Sequence, residues 1–192
     1  MRARWPRAHA LVPVDLAALT ELIQPAFPGR TVIASEPTAG GLSNTNLRLT
    51  LAERQAPVRL RLYTRHPDRA ALEVAVMARA STKVAVPRVL HVTESNPVTG
   101  HPYALLDWID GVRLELAAAD TPASDLSELG RCIGTVMARF HSVTFDTYGF
   151  FDTTLAVAHA IDLGSAGLTA YLRQCFLDGR GSRARTPSFW PV

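Results

Sequence analysis

Residues 39–46 read Ala39-Gly40-Gly41-Leu42-Ser43-Asn44-Thr45-Asn46, a glycine pair running into short polar side chains. Glycine lets a backbone turn tightly and bring its N–H groups close to an anion, so this segment could cradle a phosphate chain. A plain hairpin turn fits the same letters. Two residues further on add to the phosphate reading. Arg61 lies in the alternating run Val58-Arg59-Leu60-Arg61-Leu62-Tyr63, and Glu73 lies one turn into the next apolar-periodic segment. A glycine loop, a strand cation and a helix carboxylate in that order are more specific together than any one of them alone. Other readings stay open: Arg61 as a solvated edge-strand arginine, Arg59 or Arg65 in its place, and Glu73 pairing with Arg69 at the i,i+4 spacing. With Arg61 taken as the site cation, replacing Arg59 is expected to do little. A Walker-type loop is excluded, because it needs Gly-Lys-Ser/Thr leading into a helix and the one lysine, Lys83, is elsewhere.

The elements that must position these residues follow from periodicity. Asp15 opens a helix through Leu16, Leu19, Leu22, Ile23 and Phe27. Strands are expected over Thr31–Thr38, Leu47–Leu51 and Val58–Tyr63, joined by short turns as an antiparallel meander. Pro67 sits in the first turn of a helix running to Ser81. Val86–Thr93 and Pro102–Trp108 are two further strands around the turn-rich Ser95-Asn96-Pro97-Val98-Thr99-Gly100. The expected fold is thus α+β: a five-stranded antiparallel sheet with one packed helix, then an incomplete helical lobe. Leu126, Leu129, Ile133, Val136 and Phe140 step by three and four along a helix over Ser124–Val143. A last helix is expected over Leu163–Leu177, and 179–192 read as a disordered tail. The domain reading is 14–108 for the sheet lobe and 109–178 for the start of the helical one.

Composition narrows the function class. Hydrophobic residues make up 47% and charged ones 19%, which suits a globular chain. The net charge of +3 is concentrated at the ends, where Arg2, Arg4, Arg7, Arg180, Arg183 and Arg185 leave the segment between them three charges negative. A nucleic-acid face is therefore not expected. No apolar run is long enough to span a membrane, and a cytoplasmic location is expected. Cys132 and Cys175 lie in apolar periodic segments with no metal-ligand spacing, and read as buried thiols.

In the order of these motifs the chain resembles the aminoglycoside phosphotransferase and choline kinase-like family, which has the protein-kinase fold. GGLSNTNLRL is similar to that family's nucleotide loop, VRLRLY to its third strand and LEVAVMARA to its helix acid region. VAVPRVLHV and YALLDWIDG resemble its fourth strand and hinge, and LGRCIGTVMARFHSVTFDTYGFF the first long helix of its second lobe. The resemblance implies ATP as the nucleotide, with Mg²⁺, and a small-molecule acceptor. It implies that Gly40, Gly41, Ser43, Asn44, Thr45 and Asn46 cover the phosphates and that Arg61, partnered by Glu73, contacts them. Leu106, Asp107 and Trp108 would border the adenine.

The departures matter as much. The family's catalytic loop reads His-x-Asp, four residues, then Asn. Here His66-Pro67-Asp68 is followed at the fifth position by Glu73, and it precedes the second helix, so it reads as helix-start chemistry. Ile161-Asp162-Leu163-Gly164 resembles the family's metal turn in letters only, and Asp162 reads as a helix N-cap. His141 reads as a packed helix-end residue. No catalytic residue and no metal ligand is therefore assigned. The expectation is an ATP-dependent small-molecule phosphotransferase represented by its nucleotide-gripping part and inactive alone. The alternative is a non-catalytic nucleotide-binding or interaction module. An uncovered apolar face on the Ser124–Val143 helix would favour a truncated enzyme and invite self-association.

Overall fold

The computed structural model describes residues 10–38, 44–160, 164 and 166–173. They fall into two compact units that divide between Val143 and Thr144.

The first unit opens with α1, Leu16–Ile23, where the Asp15 carboxylate accepts from the Ala18 N–H at 2.8 Å and so caps the helix. Gly29 then turns the chain at a φ of 74°, in the left-handed region that favours glycine. Five strands follow: β1 Val32–Pro37, β2 Thr45–Leu51, β3 Val58–Leu62, β4 Val89–Thr93 and β5 Tyr103–Asp107. They lie in the order β1-β2-β3-β5-β4, every neighbouring pair antiparallel. The expected five-stranded sheet is present, and α2, Arg69–Ala80, packs on it. Strand β4 starts later than Val86 because Pro87 has no N–H to give a ladder. Asp68 is the N-cap of α2, so Pro67 stands one residue before the cap rather than in the first turn, and the Asp68 carboxylate lies 3.3 Å from Arg69 instead of capping.

Period-two alternation gives the sheet two unlike faces. On one, Leu47, Leu49, Leu51, Val58, Leu60, Leu62, Tyr103 and Leu105 form a core with Leu19, Leu22 and Ile23 of α1. Each fully buried leucine contributes about 1.5–3 kcal/mol. The Tyr103 hydroxyl donates at 2.8 Å to the Leu22 carbonyl, one of the acceptors left open at the end of α1. On the other face, Tyr63, Ala104 and Leu106 pack with Ala70 and Met77 of α2 and with Val89 and Val92. That second core is small, and arginines occupy the rest of its face.

Two loops are fixed by named side chains. Arg30 Nη1 donates to the carbonyls of Ala52 and Glu53 at 3.1 and 2.9 Å, holding the β2–β3 turn in which Glu53 takes a φ of 54°. Asn96 Oδ1 accepts from the N–H groups of Val98 and Thr99, folding the β4–β5 connection. Helices α3, Leu114–Asp120, and α4, Leu126–His141, complete the unit. No residue of α4 is buried, and Leu126, Val136, Met137 and Phe140 are exposed. Cys132 is exposed too, against expectation; it lies on α4, whose apolar stripe is itself unburied. Cys175 lies outside the described residues.

The second unit contains a hairpin, β6 Gly149–Phe151 with β7 Val157–Ala160. A Cβ on Gly149 would stand 2.3 Å from the His159 carbonyl oxygen, so only glycine lets the strands approach this closely. Asp152 closes the turn, accepting from Thr154 and Ala156. Residues 166–173 are helical, within the expected 163–177 helix. The tail 179–192 lies outside the described residues.

Candidate functional site

The site grows from the register of β2 on β3. Asn46 stands opposite Arg61, and Arg48 opposite Arg59. Directly paired residues share a face, so these four side chains rise from the same side of the sheet, the side that α2 covers in part. Arg61 is the best anchored. Its Nη1 lies 2.8 Å from Glu73 Oε1, with the two side chains only 25% and 27% exposed, so the pair is shielded from full solvent screening. With the Asn44 amide oriented carbonyl-first, Asn44 accepts from Arg61 Nε at 3.3 Å and Nη2 at 3.0 Å. The guanidinium also lies 5.3 Å from the centre of the Tyr63 ring. One arginine thus ties the end of the glycine segment, strand β3 and helix α2 together. The alternative pairing of Glu73 with Arg69 gives way to this geometry.

Arg59 and Arg48 flank it. Arg59 Nη2 donates to Asn46 Oδ1 at 3.0 Å, while its Nε is buried without a partner. Burial first, and the neighbouring Arg61 second, lower its pKa. Arg48 lies 3.5 Å from Glu36 and 5.4 Å from the centre of the Trp108 ring. The Tyr63 hydroxyl is buried close to the Glu73 carboxylate without a hydrogen bond of normal geometry, and burial together with that carboxylate pushes its pKa up.

Among the residues expected at the site, Asn44, Asn46, Arg61, Glu73, Leu106 and Trp108 meet on or beneath this face. Leu106 is part of its floor, buried with Tyr63 and Ala104. Two others point away. Thr45 pairs with Leu62, so its side chain lies on the leucine face, where its hydroxyl accepts from the Val12 N–H at 3.0 Å. Asp107 pairs with Val58, also on the leucine face, and its carboxylate is held by Arg88 at 3.0 Å and Arg54 at 3.8 Å. Gly40, Gly41 and Ser43 lie outside the described residues, as does Asp162. Alternation puts Arg48 and Arg59 on the same face as Asn46 and Arg61, each two positions away, but only the register sets them opposite one another.

The donor set suits a polyphosphate: three guanidiniums and the Asn46 amide against two carboxylates. It does not suit a metal ion, since among the described residues no three His, Cys, Asp or Glu side chains gather in one place.

A five-stranded antiparallel sheet with one helix packed across its cationic face is the small lobe of a kinase-like fold. The model of the Phosphotransferase enzyme family (APH) matches residues 35–180, and the chain belongs to that family. A Ralstonia eutropha protein assigned as an aminoglycoside phosphotransferase is similar in structure, with a TM-score of 0.58 at 15% identity over 90% of this chain and 49% of its own. Aminoglycoside phosphotransferase APH(4)-Ia gives 0.56 at 13% identity over 87% of this chain and 61% of its own. A thermostable mutant of that enzyme has been solved as a ternary complex with ADP and hygromycin B. A Thermobifida fusca protein assigned as a fructosamine-3-kinase gives 0.51 at 17% identity, over 90% of this chain and 57% of its own. The chain thus spans about half to three fifths of the length of these relatives. No curated protein sequence matches it. No helix among the described residues is long and apolar enough to cross a membrane.

Proposed function

We propose that this chain binds ATP on the arginine face of its sheet, as the nucleotide-gripping part of a cytoplasmic, ATP-dependent small-molecule phosphotransferase. Residues 14–108 are the nucleotide lobe in this reading, and 109–178 begin the helical one. The observation that carries it is Arg61, fixed from two sides by Asn44 and Glu73 and flanked by Arg59 and Arg48. A guanidinium held this way offers its remaining N–H groups to phosphate oxygens in a preset geometry, so little ordering is needed on binding. Trp108, beside Arg48, offers an aromatic surface to the base. The acceptor is a small molecule with a hydroxyl or amine to phosphorylate.

Binding and turnover separate in this reading. The 192 residues contain no His-x-Asp with Asn five positions after the Asp, the pattern that supplies the aspartate orienting the acceptor hydroxyl in kinase-like enzymes. General-base loss alone costs about 10²–10⁴ in rate. Calorimetry with ATP should therefore give a saturable isotherm that Arg61→Ala weakens about tenfold or more, the loss of one charge-assisted hydrogen bond. The same protein with ATP, Mg²⁺ and a panel of aminoglycosides, choline and homoserine should release no ADP above buffer. Equal ATP affinity in Arg61→Ala removes Arg61 from the site, and turnover abolished by Asp162→Ala makes Ile161-Asp162-Leu163-Gly164 a metal turn after all.

A further inference from the structure

Arg59 is out of place in a sheet built only for stability. It stands directly opposite Arg48 across the β2–β3 ladder and two residues from Arg61 on the same face. Like charges placed directly opposite are destabilising. Arg48 has Glu36 and Arg61 has Glu73, yet among the described residues no carboxylate lies within ion-pair distance of Arg59. Its one hydrogen-bond partner there is the neutral Asn46 amide, and its Nε is buried without any. A buried, unpartnered donor on a cation costs more than the ordinary unmade bond. The two neighbouring carboxylates are committed to the two outer arginines, which leaves the middle of the face one positive charge in surplus.

We propose that Arg59, oriented by Asn46, is a second phosphate-binding cation of the nucleotide site, and that the surplus charge it creates is neutralised by the polyphosphate chain. The inference rests on the nucleotide reading above and reverses the expectation that Arg59 is inert. Arg61 and Arg59 divide the work: the first is neutralised by Glu73 and acts as a positioned donor, whereas the second keeps its full charge for the ligand. The charge discriminates among nucleotides, favouring the triphosphate over the monophosphate, because each added phosphate brings more negative charge to the same place. Free of ligand, the protein bears the repulsion among Arg48, Arg59 and Arg61.

Two readouts of opposite sign follow for Arg59→Met, which keeps the length of the stem and removes the charge. Thermal unfolding without ligand should rise by about 2–4 °C in a chain of this size. Calorimetric titration should show ATP affinity falling about tenfold, AMP affinity falling less, and the ATP preference shrinking accordingly. Raising salt should weaken ATP binding more in the parent than in the variant. A residue that merely supports the fold would lower the unfolding temperature and weaken both nucleotides together, and that pattern overturns the proposal. Unchanged ATP affinity in Arg59→Met, in a parent that binds ATP, overturns this inference alone. A parent that binds no ATP overturns the nucleotide reading and this inference with it, whatever the unfolding temperature does.

Discussion

The two faces of one sheet are made from the same strands and differ in what they are good for. On the α1 side, β2 and β3 present Leu47, Leu49, Val58, Leu60 and Leu62, all buried in one apolar core. On the α2 side the residues between them present Asn46, Arg48, Arg59 and Arg61. The leucine face explains why the lobe folds; the arginine face does not, since it opposes like charges and leaves the Arg59 Nε and the Tyr63 hydroxyl buried without a hydrogen bond of normal geometry. Local conflicts of this kind, in a sequence otherwise consistent across its levels, are expected where a site has been built. In the proposed reading, stability resides on one face and recognition on the other.

That division predicts opposite consequences for substitutions one residue apart. Leu60→Ala should cost about 2–5 kcal/mol in denaturant unfolding, since Leu60 is fully buried and its removal leaves a cavity. A loss under 1 kcal/mol would mean that the leucine face is not the core of the lobe. Thr45 tests the boundary, because it belongs to the glycine segment by sequence and to the leucine face by register. Thr45→Val removes the acceptor for the Val12 N–H and should cost about 0.5–1.5 kcal/mol, recovered in Thr45→Ser, with ATP affinity unchanged in both. A large loss of ATP affinity in Thr45→Val would return its side chain to the site.

Tyr63 should give the smallest effect at neutral pH. Tyr63→Phe removes a buried hydroxyl that makes no hydrogen bond of normal geometry and should leave stability unchanged or raise it by up to about 1 kcal/mol. The effect grows in alkali. Burial and Glu73 keep the phenol protonated in the folded state, whereas in the unfolded chain it releases its proton near the ordinary tyrosine value of about 10. Above that pH the unfolded state binds fewer protons than the folded one, so stability falls as pH rises. Tyr63→Phe should flatten that fall in unfolding experiments between about pH 9 and 11, and equal slopes in both proteins would contradict the assignment.

Much of this was legible in the sequence because a strand's side chains repeat every two residues. Leu60 and Leu62 alternating with Arg59 and Arg61 announced both faces, and the order of Arg61 and Glu73 announced the ion pair. What escaped needed register, which a single strand does not carry. Thr45 looked like a loop residue until β2 proved to begin there, turning it to the leucine face. Asp107 fell within a hinge-like motif, but its pairing with Val58 sends it to Arg54 and Arg88. Arg59 was passed over because its cost becomes visible only when Arg48 is seen opposite. Strand β6 has three residues, too few to show a period, and its partner β7 could not be placed without it.

The central claim is that the arginine face receives the nucleotide. In ¹⁵N-labelled protein, the Nε–Hε resonances of Arg59 and Arg61, assigned by Arg59→Lys and Arg61→Lys, report directly on that face. The account predicts that saturating ATP shifts both, together with the Trp108 indole N–H, while the amides of Leu47, Leu49 and Leu60 on the core strands move less than that of Asn44. ATP shifts that spare both arginines and gather elsewhere, for example along residues 11–16, would contradict it.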